Sequence, residues 1–408
     1  MSQATVRGGD SWEVPCPFDS SKALLPVTCG RLKVPENPET PGRVVEIAFM
    51  VVKAKRSIDQ HGPVVFLNGG PGESSLYYAE QLVTHPHIRD VVVDRDWIFF
   101  DQRGSGRSTP SLFCEPEDDW FKEVKTCRDK FMAQGVDLSQ YNSARIANDM
   151  EALREALGVQ QWNLWGISYG ARLAVASARL YPASVRSIIL DAAGVPEGAE
   201  LVDDALGTEA ALNKIFSKCA TDAACASRYP QLRKRFSEAL SRLRQQPLAV
   251  GERRYDDAAL VRFIRNWLYP RGVSTFEARI QSLLVVMDAA ARGDVQLVAA
   301  TQQRMRREEG LPRTDPPVPD YGRYSTGLNL SVYCNEKKPF ESLEEAQRGA
   351  ARSEILRALL QGLGDPDACS LWPAGQAEAS SRTGVYDGPQ LVFTGELDAS
   401  SSGLAGYK

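Results

Sequence analysis

Apolar positions follow two rhythms along this chain. In the first half, short continuous runs alternate with stretches of helical period. "RVVEIAFMVVKAK", from Arg43, is rich in Val and Ile and reads as a strand. "GPVVFLNGGPGESS" is an apolar run closed by a glycine-rich turn, and "DWIFFDQRGSGRS" repeats that design. "SARIANDMEALREALGV" places Ile146, Met150, Leu153 and Leu157 on one helical face, with Ser143 or Asn142 as the cap. "WNLWGIS", a helix from about Tyr169 to Tyr181 and "VRSIILDAAG" follow. Apolar strands alternating with helices predict an α/β fold, a mostly parallel sheet covered on both faces.

After Pro196 the rhythm becomes almost wholly helical. "QLRKRFSEALSRLRQQP" carries Leu232, Phe236, Leu240 and Leu243 on one stripe with arginines around it. "RTDPPVPDYG" is a proline-rich break, and strand character returns at "GPQLVFTG". The expected organisation is a first core part over residues 1–196 and an inserted helical cap over 197–387. A core strand and a short tail follow over 388–408.

Composition narrows the classes. Lys+Arg is 48 against Asp+Glu 52, a net charge of −4 that invites neither nucleic acid nor an anionic membrane. There is no apolar run long enough to span a bilayer. The polar start "MSQATVRGGDSWEVPCPFD" is not a signal peptide. The eight cysteines fall in local couples: Cys16 with Cys29, Cys114 with Cys127, Cys219 with Cys225, Cys334 with Cys369. None has C-x-x-C spacing and the three histidines are not near them, so neither zinc nor another cofactor is expected. Disulfides suit an even count in couples, with buried free thiols as the alternative; spacing alone does not decide the pairing. Disulfides imply export, to the periplasm or outside the cell.

The chemistry sits at strand ends. "WGISYG" carries G-x-S-x-G at Gly166, Ser168 and Gly170 between a strand and a helix, the context in which a sharp turn lifts a serine hydroxyl above a sheet. "NGGPG" ends an earlier strand. A carbonyl under attack needs donors where its oxyanion forms. The amide of Tyr169 can be one and that of Gly70 the other, whereas Pro71 has no N–H to offer.

"GGPG", "DQRGSGRS" and "GISYG", in that order, resemble the prolyl-iminopeptidase and tripeptidyl-aminopeptidase branch of the α/β hydrolases. The resemblance runs from about Cys16 to Asp398. It implies an α/β-hydrolase fold with an inserted cap, serine exopeptidase or esterase activity, and peptide or small ester substrates. Ser168 would be the nucleophile, Asp398 on "GELD" the triad acid, and Arg103 a support for its loop. Acids that hold a substrate's α-amine in such enzymes point to Glu336 in "VYCNEK" and, behind it, to Glu73 after the glycine loop. A surface glutamate is the alternative for each.

One part of the machine is not in the sequence. In this fold the order is Ser, acid, His, and no histidine follows Asp398. His61, His85 and His87 precede strands, whereas the site lies outside the carboxyl ends. The stretch "ASSSGLAGYK" reads as a tail, without the last strand and helix. Three readings stand: a serine hydrolase in truncated, impaired form, a catalytically dead binding protein, or a short form completed by another chain. An uncovered edge on "QLVFTG" would favour self-association.

Overall fold

The computed structural model describes residues 12–40, 42–56, 61–192, 200–250, 253–268, 275–308, 319–360, 367–377 and 386–398. Part of the proline-rich break and the tail from residue 399 lie outside them.

The strands are β1 (Glu13–Val14), β2 (Val27–Pro35), β3 (Val44–Val52), β4 (Val64–Leu67), β5 (Trp97–Phe100), β6 (Trp162–Ile167), β7 (Val185–Asp191), β8 (Leu248–Val250), β9 (Arg253–Tyr255) and β10 (Gln390–Phe393). Eight of them form one sheet in the order β1-β2-β3-β5-β4-β6-β7-β10. The strands expected near Val64, Ile98, Leu164, Ile188 and Val392 are its parallel part, with β1, β2 and β3 added antiparallel. All four residues of β5 are buried, as a strand covered on both faces requires. β4 and β6 run in register, with Leu67 opposite Gly166, so the turns that follow them emerge side by side. β10 pairs with β7, Phe393 opposite Asp191.

The helices are α1 (Ser75–Leu82), α2 (Ile88–Val91), α3 (Trp120–Ala133), α4 (Ser143–Ala156), α5 (Tyr169–Leu180), α6 (Glu200–Thr221), α7 (Ala223–Arg228), α8 (Leu232–Gln245), α9 (Asp257–Leu268), α10 (Phe276–Arg292), α11 (Val295–Glu308), α12 (Thr326–Glu336), α13 (Leu343–Ala350) and α14 (Glu354–Leu359). In α4, Ile146, Met150 and Leu153 are buried as the period predicts, and the cap is Asn142, whose side chain accepts the Arg145 amide at 3.0 Å.

The chain divides into two compact units. The first holds 1–197, 318–340 and 366–393; the second holds 198–317, 341–365 and 394–408. This differs from the expected cap, because residues 319–340, 367–377 and 386–387 group with the sheet. Three contacts explain why: Ser325 N–H donates to Gly72 O, Gly327 N–H to Leu112 O, and Trp372 Nε1 to Ser331 Oγ. In the second unit the α8 stripe is buried as expected, Phe236 and Leu240 at 0% exposure, in one core with Leu212, Ile264, Leu283 and Met287. The four disulfides join the four local couples of cysteines.

Candidate active site

Ser168 stands alone between β6 and α5, at φ 55° and ψ −121°. A non-glycine residue rarely takes a positive φ, and holding one there costs about 1–3 kcal/mol. The surrounding backbone imposes it. Ser168 N–H donates to Asp191 O at 2.9 Å, and Ser168 O accepts the Ala171 amide at 3.0 Å. The flanking glycines are steric necessities. A Cβ on Gly166 would stand 2.1 Å from Gly170 O, and one on Gly170 would stand 1.9 Å from Leu67 O. The result is an exposed serine whose side chain does not cap α5. The first amides of α5 have no acceptor within the helix, so its positive end faces the serine's own turn.

The glycine loop after β4 passes directly against this residue. A Cβ on Gly69 would lie 3.1 Å from Ser168 Cβ and 3.6 Å from Ser168 Oγ. Gly70 and Gly72, at φ +105° and +117°, carry the loop through conformations open to glycine. Gly70 adjoins Gly69 and Tyr169 adjoins Ser168, so both expected oxyanion donors belong to the two turns that meet at the serine. Asp101 anchors the loop from behind. It accepts Ser74 Oγ at 2.8 Å and the Leu76 and Arg107 amides at 3.0 and 2.7 Å. Burial pushes its carboxyl up to about 6, against those hydrogen bonds.

Glu336 is neither on the surface nor open to a ligand. It is buried at the end of α12, and both of its oxygens are engaged. Oε1 accepts the Ser143 amide at 2.5 Å, while Oε2 accepts Ser143 Oγ at 2.8 Å and lies 3.3 Å from Arg172 Nη2. The Ser143 hydroxyl also meets the Tyr169 hydroxyl at 2.8 Å. Burial, then the neighbouring Glu336 charge, raises the Tyr169 phenol far above its ordinary value. The geometry is that of a strut at the α4 N-terminus, where the sequence reading had expected an amine receptor. Glu73, by contrast, is exposed.

Arg103 is the expected support. It is buried, makes a bidentate pair with Asp149 at 2.7 and 2.6 Å, and donates to the carbonyls of Glu36 and Gln140. Asp149 and Ser143 were legible only as helix residues. Nothing in the sequence brings Asp149 to Arg103, or Ser143 to Glu336.

Asp398 belongs to the second unit, five residues beyond the end of β10. It is half-buried in a turn closed by its own amide on Gly395 O at 3.1 Å. In the same unit Asp204 is pushed up to about 6, mainly by burial, with the charges of Asp203 and Asp398 adding to it.

His61 lies at the amino end of β6. His61 O accepts Asn163 Nδ2 at 2.8 Å, five residues before Ser168 along β6. That is about 16 Å of strand. The His85 and His87 rings, 4.8 Å apart, precede β5, and His87 pairs with Asp90.

Residues 62–264 match the family described as the alpha/beta hydrolase fold. The serine protease Hip1 of Mycobacterium tuberculosis is 30% identical over 242 residues, 52% of this chain and 45% of Hip1. The tripeptidyl aminopeptidase of Streptomyces coelicolor is 26% identical over 208 residues, 46% of this chain and 38% of that protein. The proline iminopeptidase of Arabidopsis thaliana is 29% identical over 161 residues, 39% and 34% of the two chains. The chain thus spans less than half the length of these relatives.

Proposed function

We propose that this chain is a member of the alpha/beta hydrolase fold family on its aminopeptidase-like branch, a serine hydrolase cleaving peptides from a free N-terminus. The observation that carries this reading is the exposed Ser168 at φ 55° with Gly69 packed against it. In the proposed reaction Ser168 Oγ attacks the scissile carbonyl carbon, and its proton passes to a general base. The Tyr169 and Gly70 amides hold the oxyanion. The C–N bond breaks, the leaving amine takes the proton, and water then hydrolyses the acyl ester on Ser168.

Asp398 is the proposed acid that orients the base. None of His61, His85 and His87 is proposed as the base, since each precedes a strand whereas sites of this fold lie outside the carboxyl ends. The four disulfides support export to an oxidising compartment. The discriminating experiment is fluorophosphonate labelling. The hydrolase reading expects modification at Ser168 that Ser168→Ala abolishes; labelling that never reaches Ser168 rejects it.

A further inference from the structure

Residues Asp320–Ser325 run as a strap across the glycine loop within the first unit. At one end Ser325 N–H donates to Gly72 O at 2.9 Å and Ser325 Oγ to Gly104 O at 2.7 Å. A Cβ on Gly72 would stand 2.5 Å from Ser325 O. At the other end Tyr321 OH donates to Glu80 at 2.8 Å, and the Arg107 guanidinium lies 3.4 Å from the Tyr321 ring centroid. Gly322 sits on Tyr77, whose ring a Cβ would meet at 2.7 Å. Arg323 stacks over Phe113 at 3.9 Å.

Between these fixed points stands Tyr324. Its side chain is 41% exposed, and its ring edge is 3.4 Å from where a Cβ on Gly70 would be. A lone exposed tyrosine needs no explanation. This one is flanked by anchored residues on both sides and stands beside Gly70, the residue next to the glycine that packs on Ser168. Bond lengths limit its ring edge to no more than about 14 Å from Ser168 Oγ, and a bound peptide advances about 3.5 Å per residue. A substrate side chain within two residues of the scissile carbonyl can therefore reach it. The charges nearby are engaged: Arg107 bonds Glu80 at 2.9 Å, and Arg323 lies over Phe113. What Tyr324 offers a substrate is ring surface, already ordered by the strap.

We propose that Tyr324 is a specificity-determining contact, receiving an apolar side chain of the substrate within two residues of the scissile carbonyl; this rests on reading Ser168 as the nucleophile. The test uses the 408-residue chain carrying Ser168→Ala, so that binding is read without turnover. Peptides with a free N-terminus are compared in pairs that differ only by Phe or Ala at one position, scanned along the peptide. At one position Phe should bind about tenfold tighter, about 1.4 kcal/mol. Adding Tyr324→Ala should cut that preference below about threefold, and Tyr324→Phe should keep it, since the ring and not the hydroxyl makes the contact. A preference unchanged by Tyr324→Ala, or no preference at any position in the Tyr324 chain, overturns the proposal. Failure to phosphonylate Ser168 in the parent chain would instead remove the nucleophile and leave the peptide preference standing.

Discussion

Glu336 grips Ser143 twice, its Oε1 on the amide at 2.5 Å and its Oε2 on the hydroxyl at 2.8 Å. Through that hydroxyl it also reaches Tyr169, the residue after the candidate nucleophile. The carboxylate faces the N-terminus of α4, where the first amides lack acceptors and negative charge is favoured. Glu336→Gln should therefore destabilise the first unit by about 3 kcal/mol, because Arg172 and Ser143 lose a buried charged partner. It should slow every Ser168-directed probe alike. An unchanged denaturant midpoint, with weaker binding of free-amine peptides only, would return Glu336 to the role of amine receptor.

The backbone at Ser168 makes a second prediction. Ser168→Gly places at φ 55° a residue that accepts it, so stability should rise by about 1 kcal/mol while labelling disappears. Gly170→Ala should do the reverse. Its Cβ would lie 1.9 Å from Leu67 O, a backbone atom that cannot swing aside, and we expect a loss of at least about 3 kcal/mol. Urea unfolding of the two variants beside the parent measures both signs.

Asp101 makes stability depend on pH. Its carboxyl is raised by burial to about 6 in the folded state and titrates near 3.9 in an unfolded chain. The folded state thus holds the proton more tightly. The contribution is full below about pH 4 and is lost as pH rises through about 6, a change of about 3 kcal/mol. Asp204, also raised to about 6, acts with the same sign in the second unit. Asp101→Asn should remove its share of the slope, so the stability difference between parent and variant should change between about pH 4 and pH 7. A difference that stays constant over that range would show that Asp101 does not titrate there.

The Cys334–Cys369 disulfide spans 35 residues and ties down α12, which ends at Glu336. Replacing both cysteines by alanine should cost about 2–4 kcal/mol, chiefly by freeing the unfolded chain. Because α12 presents Glu336 to Ser143, the double variant should also slow fluorophosphonate labelling of Ser168. Replacing Cys219 and Cys225, six residues apart in the second unit, serves as the control and should leave that labelling rate unchanged.

What the sequence determined by itself is local. The turn at Ser168 needs Gly166 and Gly170 because backbone atoms a few residues away, or on the next strand, occupy the space of a Cβ; a strand, a G-x-S-x-G and a helix therefore suffice to announce it. The α4 and α8 stripes were legible for the same reason, since a period of 3.6 residues declares a buried face without naming what covers it. The cysteines fall in local couples 6 to 35 residues apart, which offered these partners without deciding the pairing; the folded chain joins each couple. Tertiary structure decided what depends on distant chain meeting. Helical texture continues from residue 200 past residue 350, yet 318–340 turn away to the sheet because Ser325 and Gly327 find backbone partners at Gly72 and Leu112. Glu336 and Ser143 are 193 residues apart, and a carboxylate in "VYCNEK" looks the same whether it waits for a ligand or caps a helix. The fold buries that carboxylate against an amide, a hydroxyl and a guanidinium, contacts that no local pattern announces.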